Sequence, residues 1–137
     1  MLTKTTYKFE VRLSDIDFLG HVHNGTYLTY FEQARIYFFR EISKDWDWTK
    51  KGLILGRNEI DYILPILFNY EVEIDTRCDH IGNKSFTLSY ELFRIVDGKR
   101  VLSTKGRSIL VCMDYEENKS VEVFDEWKDA LEESMQS

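Results

Sequence analysis

Apolar and polar residues alternate from Tyr7 to Leu13, the period of a half-buried strand. The period then changes. Tyr27, Phe31, Ala34, Phe38 and Ile42 recur at helical spacing, with Tyr30 and Tyr37 widening the stripe. This predicts one buried helix of four to five turns, over Leu28 to Ile42. From there the period returns to two. Leu53 to Ile63 is a candidate strand, and Pro65 then interrupts or bends the run. Tyr70 to Cys78 alternates, with Val72, Ile74, Thr76 and Cys78 on one side. Phe86, Leu88, Tyr90 and Leu92 alternate next, and Asp97-Gly98 is a two-residue hairpin signal leading into Val101 to Met113. Gly82-Asn83 marks a turn between His80 and Lys84. Phe124 to Met135 has the pattern of a short acidic helix. A strand, a long helix, four strands and a short helix predict an α+β fold with an antiparallel sheet wrapped on the long helix. Such a sheet leaves an edge or a face that seeks a partner.

Length and composition narrow the picture. The 137 residues suit a single domain over 1–137, and no linker or repeat divides them. Apolar residues make up 43% and aromatics 15%, so the chain has the means to build a core and an interface rich in Tyr and Phe. The net charge of −6 comes with no basic block, which argues against a nucleic-acid partner. No apolar run approaches the ~18 residues of a membrane span. The first ten residues lack a signal peptide's apolar segment. Cys78 and Cys112 are too few for a disulfide framework, and a reduced, cytoplasmic setting is expected.

The densest chemistry lies between the first strand and the helix. Ser14-Asp15-Ile16-Asp17-Phe18-Leu19-Gly20-His21-Val22-His23-Asn24-Gly25-Thr26 holds two carboxylates, two imidazoles, an amide and two glycines. It runs into the positive end of a helix, where backbone amides lack partners. A carboxylate at Asp17 suits a general base or a nucleophile. The amides around Asn24, Gly25 and Thr26 suit a developing oxyanion, and Gly25 lets a substrate approach the backbone. Asn24 is also expected to cap the helix through its side chain. Asp15 and His21 are expected to stabilise the loop. Glu32 and Arg35 are spaced to pair at i, i+3, although Glu32 is also a possible second carboxylate facing the pocket. Asp15-x-Asp17 with His21-x-His23 supplies metal-ligand types. Histidines at i, i+2 converge on one ion only in an extended strand, however, and this loop runs into a helix. Neither a metal nor a cofactor is expected.

These residues also carry a resemblance. Val11 to Asp17, Gly20-His21-Val22-His23-Asn24-Gly25-Thr26-Tyr27-Leu28 and Phe31-Glu32-Gln33-Ala34-Arg35 resemble the 4-hydroxybenzoyl-CoA thioesterase-like branch of the hotdog-fold superfamily. The likeness extends through Ile60-Asp61-Tyr62, Pro65 and Ile109 to Asp114. It implies a helix wrapped by an antiparallel sheet, a homodimer or homotetramer, and hydrolysis of acyl-CoA to a free acid and coenzyme A. It also implies that Asp17 is the catalytic carboxylate and that the helix-start amides near Asn24 and Gly25 polarise the thioester carbonyl. His21, His23 and Tyr27 are then candidates for substrate contact. Because the chain is acidic, local cations must hold the coenzyme's phosphates, and Arg57, Lys84, Lys105 and Arg107 are the candidates. Two other readings are a hotdog dehydratase or hydratase and a non-catalytic acyl-thioester-binding domain.

Overall fold

The computed structural model describes residues 4–43 and 45–135. Five long elements build it: strands β2 (Lys51–Tyr62), β3 (Glu71–Ile81), β4 (Ser85–Val96) and β5 (Lys99–Asp114), and helix α1 (Thr26–Ile42). Short β1 (Thr5–Glu10) precedes α1; β6 (Lys119–Ser120) and helix α2 (Asp125–Met135) close the chain. The sheet is antiparallel at every pairing, in the order β1-β3-β4-β5-β2, with β6 beside β5. It curls around α1, giving the expected α+β hotdog arrangement. No helix among the described residues is long and apolar enough to cross a membrane.

The strand periods map directly onto the core. Val72, Ile74, Thr76 and Cys78 of β3 and Phe86, Leu88, Tyr90 and Leu92 of β4 are all buried. Against them lie Tyr27, Tyr30, Phe31, Ala34, Phe38 and Ile42 of α1. Tyr37 marks the border of that stripe. It is 36% exposed and rests its ring on Tyr7, 5.7 Å between centroids. The Asp97-Gly98 hairpin forms with both residues at positive φ, 51° and 75°, the geometry that suits the twist of the flanking strands. Burial pushes the thiols of Cys78 and Cys112 up to about 11, so both stay protonated and unreactive inside the sheet.

Two expectations change. β1 ends at Glu10, and Leu13 lies in a 3₁₀ turn, 74% exposed. The Arg12 N–H donates to Asp15 Oδ2 at 3.0 Å, a local bond that turns the chain out of the ladder. The two-residue β6 is too short to leave a period in the sequence.

One close approach sets how α1 meets the sheet. The Phe31 ring stacks on Tyr90, 4.5 Å apart and 10° from parallel. It also crosses β5 at Gly106, where a Cβ would stand 2.5 Å from Phe31 Cε2. A second anchor lies at α2, where Trp127 is fully buried among Phe39, Phe86, Trp46 and Phe124. On the opposite face of β3, Asp75 is 3% exposed. Burial pushes its carboxyl up, but hydrogen bonds from Arg100, Thr6 and Lys4 outweigh this and bring it to about 2.

Two stability predictions follow from these contacts. Gly106→Ala should cost about 1–3 kcal/mol through overpacking against Phe31, and pairing it with Phe31→Leu should recover part of that loss in chemical denaturation. Asp75 has a folded pKa below its unfolded value. Its contribution, about 2 kcal/mol, is therefore complete above the ordinary carboxylate range and lost as pH falls through 2. The stability gap between wild type and Arg100→Gln should then be wide at pH 7 and close toward pH 2. A gap independent of pH would assign the Arg100 effect to packing on Phe93 instead, over whose ring the guanidinium sits at 4.2 Å.

Candidate active site

The loop between β1 and α1 is tied down from within. Asp15 is 4% exposed and accepts from the Arg12 backbone N–H, from Arg12 Nη2 at 3.3 Å and from the Tyr30 hydroxyl at 2.7 Å. Burial raises its carboxyl, but these bonds prevail and hold it below the ordinary value. Burial, and then the Asp15 carboxylate, push the Tyr30 phenol up, so it remains a donor. Asp15 is thus the loop-stabilising carboxylate that the sequence suggested. Its carbonyl also accepts from the His23 N–H at 2.8 Å.

Between these ties the chain makes a small hairpin. Ile16 bridges to Val22, and the Val22 N–H donates to the Ile66 carbonyl at 2.8 Å. The turn runs Asp17-Phe18-Leu19-Gly20, closed by the Gly20 N–H on the Asp17 carbonyl at 3.1 Å. Gly20 sits at φ +82°, which a side chain would strain. Asp17 Oδ1 accepts from the N–H groups of Leu19, at 2.9 Å, and His21, at 3.3 Å. Its Oδ2 has no hydrogen-bond partner among the described residues. A half-buried carboxylate is therefore held by one oxygen and presents the other.

Asp17 lines a cleft of about 300 Å³ together with His21, Asn24, Tyr27, Tyr62 and the chain from Ile63 to Pro65. Tyr62 arrives from the end of β2. Its hydroxyl donates to the Asn24 carbonyl at 3.0 Å, and its ring meets Tyr27 edge-on at 5.1 Å. Tyr27 is buried, and burial raises its phenol above the ordinary value. Of the other aromatics near the loop, Tyr30 is occupied with Asp15, and Phe68 is 42% exposed and outside the cleft walls.

The head of α1 differs from expectation. Gly25 is the N-cap, and no side chain caps the helix; Asn24 is exposed. His23 takes the neighbouring amides: its Nδ1 accepts from the Gly25 N–H at 3.0 Å and its carbonyl from the Thr26 N–H at 2.9 Å. Accepting at Nδ1 places the imidazole proton on Nε2. The reason is geometric, since a side chain two residues before the amide can fold back on it. His23 is thus exposed, outside the cleft walls, and acts on the helix start. The amides of Asn24 and Tyr27 have no partner among the described residues, so they are the donors left at this end.

The four basic candidates stand elsewhere in the chain. Arg57, on β2, pairs with Glu59 at 2.8 Å. Lys84 follows the Gly82-Asn83 turn, beside the row where Ser85 pairs with Val111, at the end of the sheet away from Tyr62. Lys105 and Arg107 border a polar groove with Glu59 and Asp61, and Arg107 also pairs with Asp79. None of them lines the Asp17 cleft of its own chain. Asp15 faces Arg12 and Tyr30 while Asp17 faces the cleft. Among the described residues, no three His, Cys, Asp or Glu side chains converge as a metal set.

Known proteins share this architecture. The uncharacterized protein YsmA of Bacillus subtilis is 28% identical over 132 residues, which span 93% of this chain and 88% of YsmA. A thioesterase from Thermus thermophilus, crystallised with coenzyme A and Zn, superposes with a TM-score of 0.81 at 28% identity, over 96% of this chain and 94% of its own. The 1,4-dihydroxy-2-naphthoyl-CoA thioesterase Slr0204 of Synechocystis, at 19% identity and a TM-score of 0.79 over 93% and 95% of the two chains, shares the fold. The family model described as thioesterase-like superfamily matches residues 11–131, from the end of β1 into α2. With nearly the whole fold and the Asp17 loop inside that match, the chain belongs to the thioesterase-like superfamily.

Proposed function

We propose that this protein hydrolyses acyl-CoA thioesters to a carboxylic acid and coenzyme A, with Asp17 as the reacting carboxylate. The observation that carries this reading is the Asp17 carboxylate, hydrogen-bonded through Oδ1 alone, on a residue that lines a cleft at the head of a 17-residue helix. Family membership and the coenzyme A bound by the Thermus relative support the chemistry and the carrier.

The residues divide the work as follows. Leu19 and His21 amides fix Oδ1 and so aim the carboxylate. Oδ2 either removes a proton from an attacking water or itself attacks the thioester carbon. The open amides of Asn24 and Tyr27, with the positive end of α1, stabilise the negative charge that develops on the carbonyl oxygen. Tyr62 fixes the Asn24 peptide from its carbonyl side. His23 holds the Gly25 and Thr26 amides and thereby the shape of the helix start. In the first route collapse of the tetrahedral species breaks the C–S bond and the proton held by Asp17 passes to the departing thiolate; in the second, collapse leaves a mixed anhydride on Asp17, which water then hydrolyses to the free acid, its proton going to the thiolate and the carboxylate being restored. A hydratase would require an imidazole working beside an acid; His21 meets Asp17 through its backbone N–H.

A second copy is part of this reading. β2 is a 12-residue edge strand with one side open, and it exposes Ile54 and Leu55. Leu28 and Ile36 on α1 are exposed as well. A long apolar edge of this kind is covered by pairing, and a closed symmetric pair covers two at once. The end of β2 at Tyr62 borders the Asp17 cleft, so a partner along β2 lies next to the chemistry.

Asp17→Asn keeps an acceptor for Leu19 and His21 but removes the charge. It should lower kcat by roughly 10²-fold or more, read by free-thiol release, with the melting temperature little changed. Turnover near wild type with an unchanged melt would move the chemistry away from Asp17. In sedimentation at micromolar concentration the protein should run at twice the chain mass or more, and Ile54→Asp should shift it toward the monomer. A wild-type monomer would remove the partner from the site.

A further inference from the structure

Strand β5 carries an irregularity beside the Asp17 cleft. Its register against β4 pairs Leu92 with Thr104 and then Phe93 with Leu102, so Ser103 is an extra residue without a place in that ladder. A bulge of this kind frees a residue from the sheet and re-aims it. The ladder between β2 and β5 ends at the same point, with Tyr62 opposite Thr104. Ser103 is fully buried and turns its carbonyl and its hydroxyl to the chain leaving β2. The carbonyl accepts from the N–H groups of Ile63, at 2.9 Å, and Leu64, at 3.0 Å, and Oγ donates to the Leu64 carbonyl at 2.6 Å.

These bonds begin a strap, residues 63–67, that crosses from the sheet to the Asp17 loop. Ile63, Leu64 and Pro65 wall the cleft. Each carbonyl from Leu64 to Leu67 has a donor: Ser103 Oγ on Leu64, Arg94 Nη1 on Pro65 at 2.9 Å, the Val22 N–H on Ile66 at 2.8 Å and the Tyr70 N–H on Leu67 at 3.3 Å. Leu67 also bridges to His21. The His21 carbonyl accepts from the Asp17 N–H at 2.8 Å, and the His21 N–H meets Asp17 Oδ1. A continuous path of backbone contacts thus joins Ser103 to the carboxylate, through the strap and His21.

We propose that Ser103 is a positioning residue for Asp17: by pinning Leu64 it fixes the strap, and the strap fixes the turn that carries the carboxylate. The proposal rests on the reading of Asp17 as the reacting group. Ser103 stays outside the cleft walls, so it acts on the reaction through geometry alone. A strap displaced by about an ångström still offers the substrate its apolar walls but misplaces the carboxylate against the thioester carbon. That loss is felt in the transition state rather than in binding.

Ser103→Ala removes the donor from the Leu64 carbonyl. It should lower kcat roughly tenfold or more and leave KM within about threefold, and Ser103→Thr, which keeps the hydroxyl, should recover most of kcat. In an Asp17→Asn background the same Ser103→Ala change should cost less than about twofold, because the carboxylate it positions is gone. Amide hydrogen exchange reads the strap without substrate. In Ser103→Ala the Val22 amide should exchange about tenfold faster or more, while Ile74 and Leu88, in the body of the sheet, exchange as in the wild type. Arg94→Met takes the donor from the Pro65 carbonyl at a half-buried position; it should move kcat and Val22 exchange in the same directions, and it replaces Ser103→Ala in each assay if that variant does not fold. An unchanged kcat, a loss that Ser103→Thr does not recover, an equal loss with and without the Asp17 carboxylate, or Val22 exchange that stays at the wild-type rate or rises only together with Ile74 and Leu88 would each overturn the proposal. Wild-type turnover in Asp17→Asn alone would overturn the reading of Asp17 instead, and Val22 exchange would still decide whether Ser103 holds the loop.

Discussion

The buried carboxylate of Asp15 decides where everything around it goes. Its charge is out of water, and burial alone would favour the protonated acid. The Arg12 amide, the Tyr30 hydroxyl and the Arg12 guanidinium reverse that balance, and each bond is also a positional constraint. Arg12 ends the first strand. Tyr30 belongs to the second turn of α1, so the helix cannot rotate without losing the bond. The Asp15 carbonyl anchors His23, which in turn holds the two amides at the helix head. Asp17 lies two residues from this anchor, and its orientation is inherited from it. One carboxylate of the loop organises it, and the other keeps an oxygen without a hydrogen-bond partner among the described residues.

Periodicity made most of the fold legible. A helix whose buried positions fall at 27, 31, 34, 38 and 42 has one face to bury, and strands with unbroken alternation at 72–78 and 86–92 have one face to receive it. Asp97-Gly98 specified its turn because few pairs adopt two positive φ values at low cost. Asp15 was readable as a loop-stabilising carboxylate, since an acidic side chain beside a turn finds backbone and side-chain donors close by. What failed to show has a common cause: contacts whose partners lie far apart or compete locally. Leu13 follows the strand alternation, but a three-residue hydrogen bond overrides it. Asn24 is the better cap by propensity, yet the His23 ring reaches the Gly25 amide first. Tyr62 reaches the Asn24 carbonyl across 38 positions. Lys84 is a phosphate candidate by its charge, and only the strand register shows that it stands at the end of the sheet away from Tyr62.

Charge is distributed on the same logic. The apolar face of the sheet belongs to α1 and α2, and the ionic groups are gathered on the opposite face, around Asp75 and Arg100 and along Arg107 and Asp79. Arg35 is the exception, a cation on the helix side of the sheet. The fold is therefore apolar where it must pack and charged where it meets water, and its departures beside α1, Asp15 and Arg35, are held by hydrogen bonds from or to buried tyrosines.

The most direct measurement is a structure with an acyl-CoA analogue in which a methylene replaces the thioester sulfur, so that the carbonyl survives. The account places the carbonyl carbon about 3–3.5 Å from Asp17 Oδ2, with its oxygen toward the amides of Asn24 and Tyr27. An analogue whose carbonyl sits away from Asp17, with Oδ2 still facing solvent, would contradict the assignment of Asp17 as the reacting group.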